Sequence, residues 1–233
     1  AWGQHHCEEA LVQAARWGHI DCLLLLLGQG VYVDGTDQDG MTALMAAANF
    51  GNVAFVRLLI EAEADVHARC RVGMSALMYA PRSGSAECAK MLVDAKADVN
   101  LQTYGGTTAA MEAAGRHDPS CLQYLIDARA DITVKNHSGS DALVFALEFA
   151  SVASIRVLIG AKADVNDKIN KDGATPLMEA VKMERTTCAR VLINAKANID
   201  ARDNKKETAL LLALRKRSDA CMELLVAAKA DVN

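Results

Sequence analysis

What this 233-residue sequence lacks narrows its function first. Its longest uninterrupted apolar runs, among them Cys22 to Leu27 and Ala209 to Leu214, are six residues, far short of the roughly 20 residues a bilayer-spanning helix needs, so no transmembrane segment is expected. It has no basic excess: the formal net charge is -4, which gives no field to hold a phosphate backbone and argues against a nucleic-acid partner. No Gly-rich phosphate loop and no Cys-x-x-Cys pair is present. No methionine precedes Ala1, and no basic region with an apolar stretch reads as a leader. The chain is therefore expected to be either a processed product or a piece of something longer. The residues fix no compartment: cytoplasmic is the default, organellar after removal of a targeting segment the alternative. Apolar residues, at 52%, are enough for a sizeable core.

Against these absences stands a repeat. Gly40, Gly73, Gly106, Gly139 and Gly173 recur at a nearly constant step of 33 or 34 residues, and Asp65, Asp98, Asp131, Asp164 and Asp231 keep the same period, with Asn198 once in their place. Carrying the register backwards adds a degenerate first unit. The chain thus reads as one domain over 1–233 built of units at about 7–39, 40–72, 73–105, 106–138, 139–172, 173–205 and 206–233. One extra residue between Asn166 and Asp172 should lengthen a loop tip. In each unit the pattern predicts a short helix, as at Thr42 to Phe50, a turn at Gly51, and a second helix from Val53 to about Ala62. The broad apolar face of Phe55, Val56, Leu58, Leu59 and Ile60 is more than one short helix can bury, so neighbouring units must cover it. Polar segments such as Asp65 to Gly73 fit hairpin-like connections.

These residues resemble the ankyrin-repeat family. Thr42-Ala43-Leu44-Met45 and Thr175-Pro176-Leu177-Met178 stand where that family has T-P-L-H, and Ala97-Asp98-Val99-Asn100 matches its A-D-V-N. The resemblance implies an all-α solenoid of stacked helix-turn-helix units with hairpin-like loops, and a protein-binding role. It also exposes departures. The family histidine is replaced by Val12, Met45, Met78, Met111, Val144, Met178 and Leu211; soft core packing is expected of these, a metal-binding ladder being the remote alternative. The family glycine after the second helix survives only as Gly30; Glu63, Lys96, Arg129, Lys162, Lys196 and Lys229 take its place. Either a left-handed backbone is accepted there, at about 1 kcal/mol each, or the helices end differently. Pro81 should shorten or kink its helix, whereas Pro119, after Asp118 as N-cap, suits the first position of the next.

Chemistry-bearing residues point away from catalysis. Cys22, Cys88, Cys121, Cys188 and Cys221 share the repeat position of Phe55 and are expected to be core thiols. Repeats stacked roughly 10 Å apart exceed disulfide reach, about 7 Å between Cα atoms, and a reducing compartment is permitted. His5, His6 and Cys7 lack the second half of a zinc site, and a frayed terminus is expected there. His117 with Asp118 has no nucleophile predictably near. No catalytic residue, cofactor or metal is expected.

If the units stack as in ankyrins, first helices and loop tips line one concave face. The position of Ala46 carries Gln13, Tyr79, Glu112, Phe145, Glu179 and Leu212, and that of Phe50 carries Trp17, Ser83, Arg116, Phe149, Met183 and Lys216. Of ten aromatics, Trp17, Phe50, Tyr79, Tyr104, Phe145 and Phe149 map to this face or a loop tip. With Arg69, Arg71 and Met74 beside Tyr79, they form the expected protein-binding set, because aromatic and arginine side chains dominate interface energy. The bland alternative is that Trp17, Phe50, Phe145 and Phe149 seal gaps between first helices. Three functions fit: a non-catalytic scaffold for a partner protein, a peripheral structural subunit of a large assembly of organellar type, or a regulatory or targeting domain of a larger enzyme. The unsealed first unit, with Leu24 where other units have Arg57, Lys90 or Arg156, motivates the second.

Overall fold

A computed structural model describes residues 2–231, and of residues 2–5 only the backbone. Its described residues form fourteen helices and no strand; the one isolated bridge joins Thr36 to Thr42. The helices come in pairs: α1 (Trp2–Trp17) with α2 (Ile20–Gly28), α3 (Ala43–Phe50) with α4 (Val53–Glu61), α5 (Ala76–Ser83) with α6 (Ala86–Asp94), and α7 (Ala109–Ala114) with α8 (Ser120–Asp127). Then come α9 (Ala142–Glu148) with α10 (Val152–Gly160), α11 (Pro176–Lys182) with α12 (Thr186–Asn194), and α13 (Ala209–Lys216) with α14 (Asp219–Ala227). Two compact units contain them, one of Ala1–Ala113 with Ser120–Asp131, the other of Ala114–Pro119 with Ile132–Asn233.

Local chemistry sets the first-helix starts. The hydroxyls of Thr42, Thr108, Thr175 and Thr208 and the carboxylate of Asp141 accept the N–H three residues on, at Met45, Met111, Met178, Leu211 and Val144. Each satisfies one of the donors a helix start leaves open. The methionines that replace the family histidine are buried, and Met178 adds a contact of its own, its Sδ accepting the Thr175 N–H at 3.5 Å. At the same position Leu211 is exposed. Pro81 does not shorten its helix, since α5 has the same eight residues as α3. Pro119 does not occupy the first turn, because α8 begins one residue later, at Ser120. The inserted residue enters the connection 161–175, which is one longer than 62–75.

The second helices end in one way. Glu63, Lys96, Arg129, Lys162, Lys196 and Lys229 all have φ between 62 and 69°. The residue after each sends its N–H back five positions, as Ala64 to Leu59 and Ala97 to Leu92. This is the Schellman closure, built six times without glycine.

Loop turns are fixed by side-chain acceptors. In the first unit Asp34 Oδ1 accepts the Asp65 N–H at 2.9 Å and Asn100 Oδ1 the Asp131 N–H at 2.8 Å; in the second, Asn166 holds Asn198 and Asp200 holds Asp231. His67, at the position of Asn100, supplies no such bond. Cys88, Cys121, Cys188 and Cys221 are core residues as expected, but Cys22 is exposed. Among the described residues α2 has no earlier second helix to lie against, so the thiol that would be covered elsewhere faces outward. The side chain of His5 falls outside the described residues; His6 and Cys7 lie within α1 rather than in a frayed segment.

Candidate protein-interaction surface

Burial separates the two repeat positions on the first helices. At the position of Ala46 the side chains are covered: Tyr79 is only 7% exposed, Leu212 is buried, and Phe145 is half-buried. At the position of Phe50, at the end of the first helix, Ser83, Arg116 and Met183 are half-buried but the three aromatics are open. Trp17 is 68%, Phe50 51% and Phe149 55% exposed, so at least half of each faces solvent. Trp17 and Phe50 belong to the first unit and Phe149 to the second, where its ring lies against Gly115, whose added Cβ would come within 2.8 Å of Phe149 Cδ2.

Tyr79 and Met74, expected at the surface, offer almost none. The Tyr79 hydroxyl is 3.5 Å from Cys70 Sγ, and burial, with that contact next, pushes the phenol well above its ordinary range. It stays neutral and acts as packing. The Arg82 guanidinium lies over its ring, 5.3 Å from the centroid, and forks onto Glu112 at 3.2 and 3.3 Å. Arg82 and Glu112 thus present the surface that Tyr79 was expected to present. Sequence contained a signal for this: Tyr79 and Arg82 are three apart on one helix, hence neighbours on one face.

The other aromatic of this region behaves oppositely. Tyr104 is 64% exposed on a loop tip, with the Arg69 guanidinium 5.0 Å from its ring centroid. Arg69 is pinned there, Nε donating to the Gly73 carbonyl at 3.2 Å and Nη2 to that of Gln102. Gly73 makes the approach possible: at φ +82°, its added Cβ would sit 2.8 Å from the Tyr104 nitrogen. Arg71 and Val72 are exposed on the preceding tip, whose Val72 carbonyl accepts the Tyr104 N–H at 3.3 Å. The first unit therefore gathers Arg69, Arg71, Val72 and Tyr104, with the cation and the aromatic stacked and held in place by the Arg69 hydrogen bonds.

These helix pairs, caps and loop tips coincide with a family model for ankyrin repeats that matches three times, over residues 11–103, 95–169 and 151–233. The chain belongs to the ankyrin-repeat family. Its fold is the all-α ankyrin-repeat solenoid, and ankyrin repeats are generally protein–protein interaction modules. The ankyrin-repeat domain of human ASB11 superposes with a TM-score of 0.83 at 26% identity, covering 96% of this chain and 99% of that one. The ankyrin-repeat domain of Bcl-3, described as a unique member of the IkappaB protein family, gives 0.77 at 25% identity over 93% and 97%. No curated protein matches the chain. Among the described residues no helix of this ankyrin-repeat chain is long and apolar enough to cross a membrane.

Proposed function

We propose that this ankyrin-repeat chain is a non-catalytic scaffold that holds a partner protein on the side formed by its first helices and loop tips. The single observation that carries this reading is the exposure of Trp17, Phe50 and Phe149, three large aromatics at one repeat position. Burying such side chains is favourable by about 1.5–3 kcal/mol each, and nothing within their units covers most of their surface. In the first unit the stacked Arg69 and Tyr104 pair, with Arg71, extends the same surface at the loop tips.

Cross-linking in native extract, read by mass spectrometry, identifies the partner. Trp17→Ala with Phe50→Ala should then weaken its binding by about tenfold or more while the urea midpoint is retained. Tyr79→Ala should instead lower stability, because Tyr79 is interior. An unchanged partner affinity in the Trp17/Phe50 variant sinks the proposal.

A second reading rests on α2. Ile20, Leu24 and Leu25 are exposed along one short helix, which suits a peripheral structural subunit whose first helix pair is covered within a larger assembly. Purification of the chain from its native source as a monomer, without companions, counts against it.

A further inference from the structure

The second unit holds a groove of a different character from the aromatic positions. An open cleft of about 440 Å³ lies between α11, α13 and the loop tip around Asp203, walled by Lys182, Lys205, Arg215 and Lys216 and floored by Leu212. Leu212 and Lys216 stand at the repeat positions of Phe145 and Phe149, which belong to the same compact unit.

The loop tip that forms one wall is rigidly set. Asp203 Oδ1 accepts the N–H groups of Lys205 and Glu207, both at 2.9 Å. Asn204 ties the tip to the preceding loop, its N–H donating to the Asp172 carbonyl at 2.8 Å and its Nδ2 to that of Lys171 at 2.9 Å. With Lys206 held at φ 62°, the turn leaves Lys205 and Lys206 exposed.

The groups already paired around the cleft set what it can offer a ligand. Its carboxylates are mostly engaged: Asp203 with its own loop, Glu207 with Arg215, and neighbouring Glu179 with Lys182 at 3.4 Å. Asp172, at the rim, is the one whose side chain is not so engaged. The cations are in surplus, since neither Lys205 nor Lys216 has a carboxylate partner, and Lys206 and Arg217 stand exposed beside them. Four cations, Lys182, Lys205, Arg215 and Lys216, thus line the cleft against three carboxylates, of which Asp203 and Glu207 are already engaged.

From this we infer that the cleft docks an acidic stretch of the partner protein, whose carboxylates pair with Lys205 and Lys216 and compete with Glu207 for Arg215. This rests on the scaffold reading and names the chemistry of its ligand. Carboxylates fit better than a nucleic acid: no aromatic lines the cleft for base stacking, and the fixed carboxylates among the lysines repel a continuous phosphate backbone more than they do a few side chains.

The test titrates the whole chain with a short fluorescein-labelled peptide of alternating glutamate and serine, its glutamine counterpart, and a single-stranded oligonucleotide of equal charge. The glutamate peptide alone should bind, more weakly as salt is added. Lys205→Glu with Lys216→Glu should weaken it by about tenfold or more, while Lys162→Glu, an exposed lysine outside the cleft, leaves it within about twofold. Absence of glutamate-peptide binding at low salt, preference for the oligonucleotide, or equal loss in Lys162→Glu overturns the inference. If the peptide fails while Trp17→Ala with Phe50→Ala still releases the cross-linked partner, the cleft assignment falls and the scaffold stands; if the partner too is unaffected, the scaffold reading falls.

Discussion

Replacing the left-handed residues after the second helices with glycine should make the protein more stable. Glu63, Lys96, Arg129, Lys162, Lys196 and Lys229 sit at φ 62 to 69° with exposed side chains, so trimming them removes no packing. The left-handed conformation costs a residue bearing a Cβ about 1–2 kcal/mol, while glycine loses about 0.5–1 kcal/mol more backbone entropy on folding. The difference is a gain of about 0.5–1 kcal/mol per site. With no shared contacts the six should add approximately, to about 3–6 kcal/mol, a large fraction of the 5–15 kcal/mol typical of a folded domain. Urea unfolding measures this: the midpoint should rise stepwise with each substitution and the slope stay constant. Lys96→Ala is the control, since it deletes the same charge and chain but keeps the Cβ, and it should give no gain. Gly30, already at φ 72°, should lose as much on Gly30→Lys as Lys96→Gly gains. If Lys96→Gly fails to raise the midpoint, or Lys96→Ala raises it equally, the steric account of these helix ends is refuted.

Three further outcomes follow from the same contacts. Burial raises the Asp141 carboxyl above its ordinary value, with the Val144 N–H and Lys135 only partly offsetting it; folding stability from this group is therefore greatest below the unfolded aspartate value and falls as pH rises through the folded one. Asp141→Thr, which keeps a capping oxygen, should flatten that decline in a urea series across acid to neutral pH, whereas Asp141→Ala should lose about 1 kcal/mol at neutral pH. His67→Asn should supply the Asp98 N–H with the acceptor that Asn100 gives Asp131, raising stability by about 0.5–1.5 kcal/mol in thermal melts. Gly73→Ala should cost at least about 1 kcal/mol in urea unfolding, since it meets both a left-handed backbone and Tyr104, and should weaken partner binding by displacing the Arg69 and Tyr104 stack.

The helix pairs were legible because period, caps and glycines are local signals that each unit repeats: Thr42 caps the helix that its spacing predicts, and Gly51 ends it. What the sequence left undecided depends on neighbours. Tyr79 and Tyr104 are both aromatics of the expected surface, yet one is interior with Arg82, anchored by Glu112 of the next repeat, lying over it, and the other is open because Gly73 lets a loop tip carry it outward. Cys22 and Cys88 share a repeat position and differ only in whether an earlier helix lies against them. The six helix ends were undecided for another reason: a strained backbone and an altered helix end are written with the same lysines, and only the φ angles distinguish them. The lysine cleft was invisible in a composition of net negative charge, since it arises from which acids are already engaged.

The side-chain acceptors on the loop turns run in one direction. Asp34, Asn100, Asn166 and Asp200 each serve the main chain that comes after them. Trimming from the amino end therefore strips the following turn of its acceptor and leaves a donor bare, whereas trimming from the carboxyl end leaves only a carboxylate or amide oxygen that water readily satisfies. Shortened versions should be sturdier when they keep their early repeats.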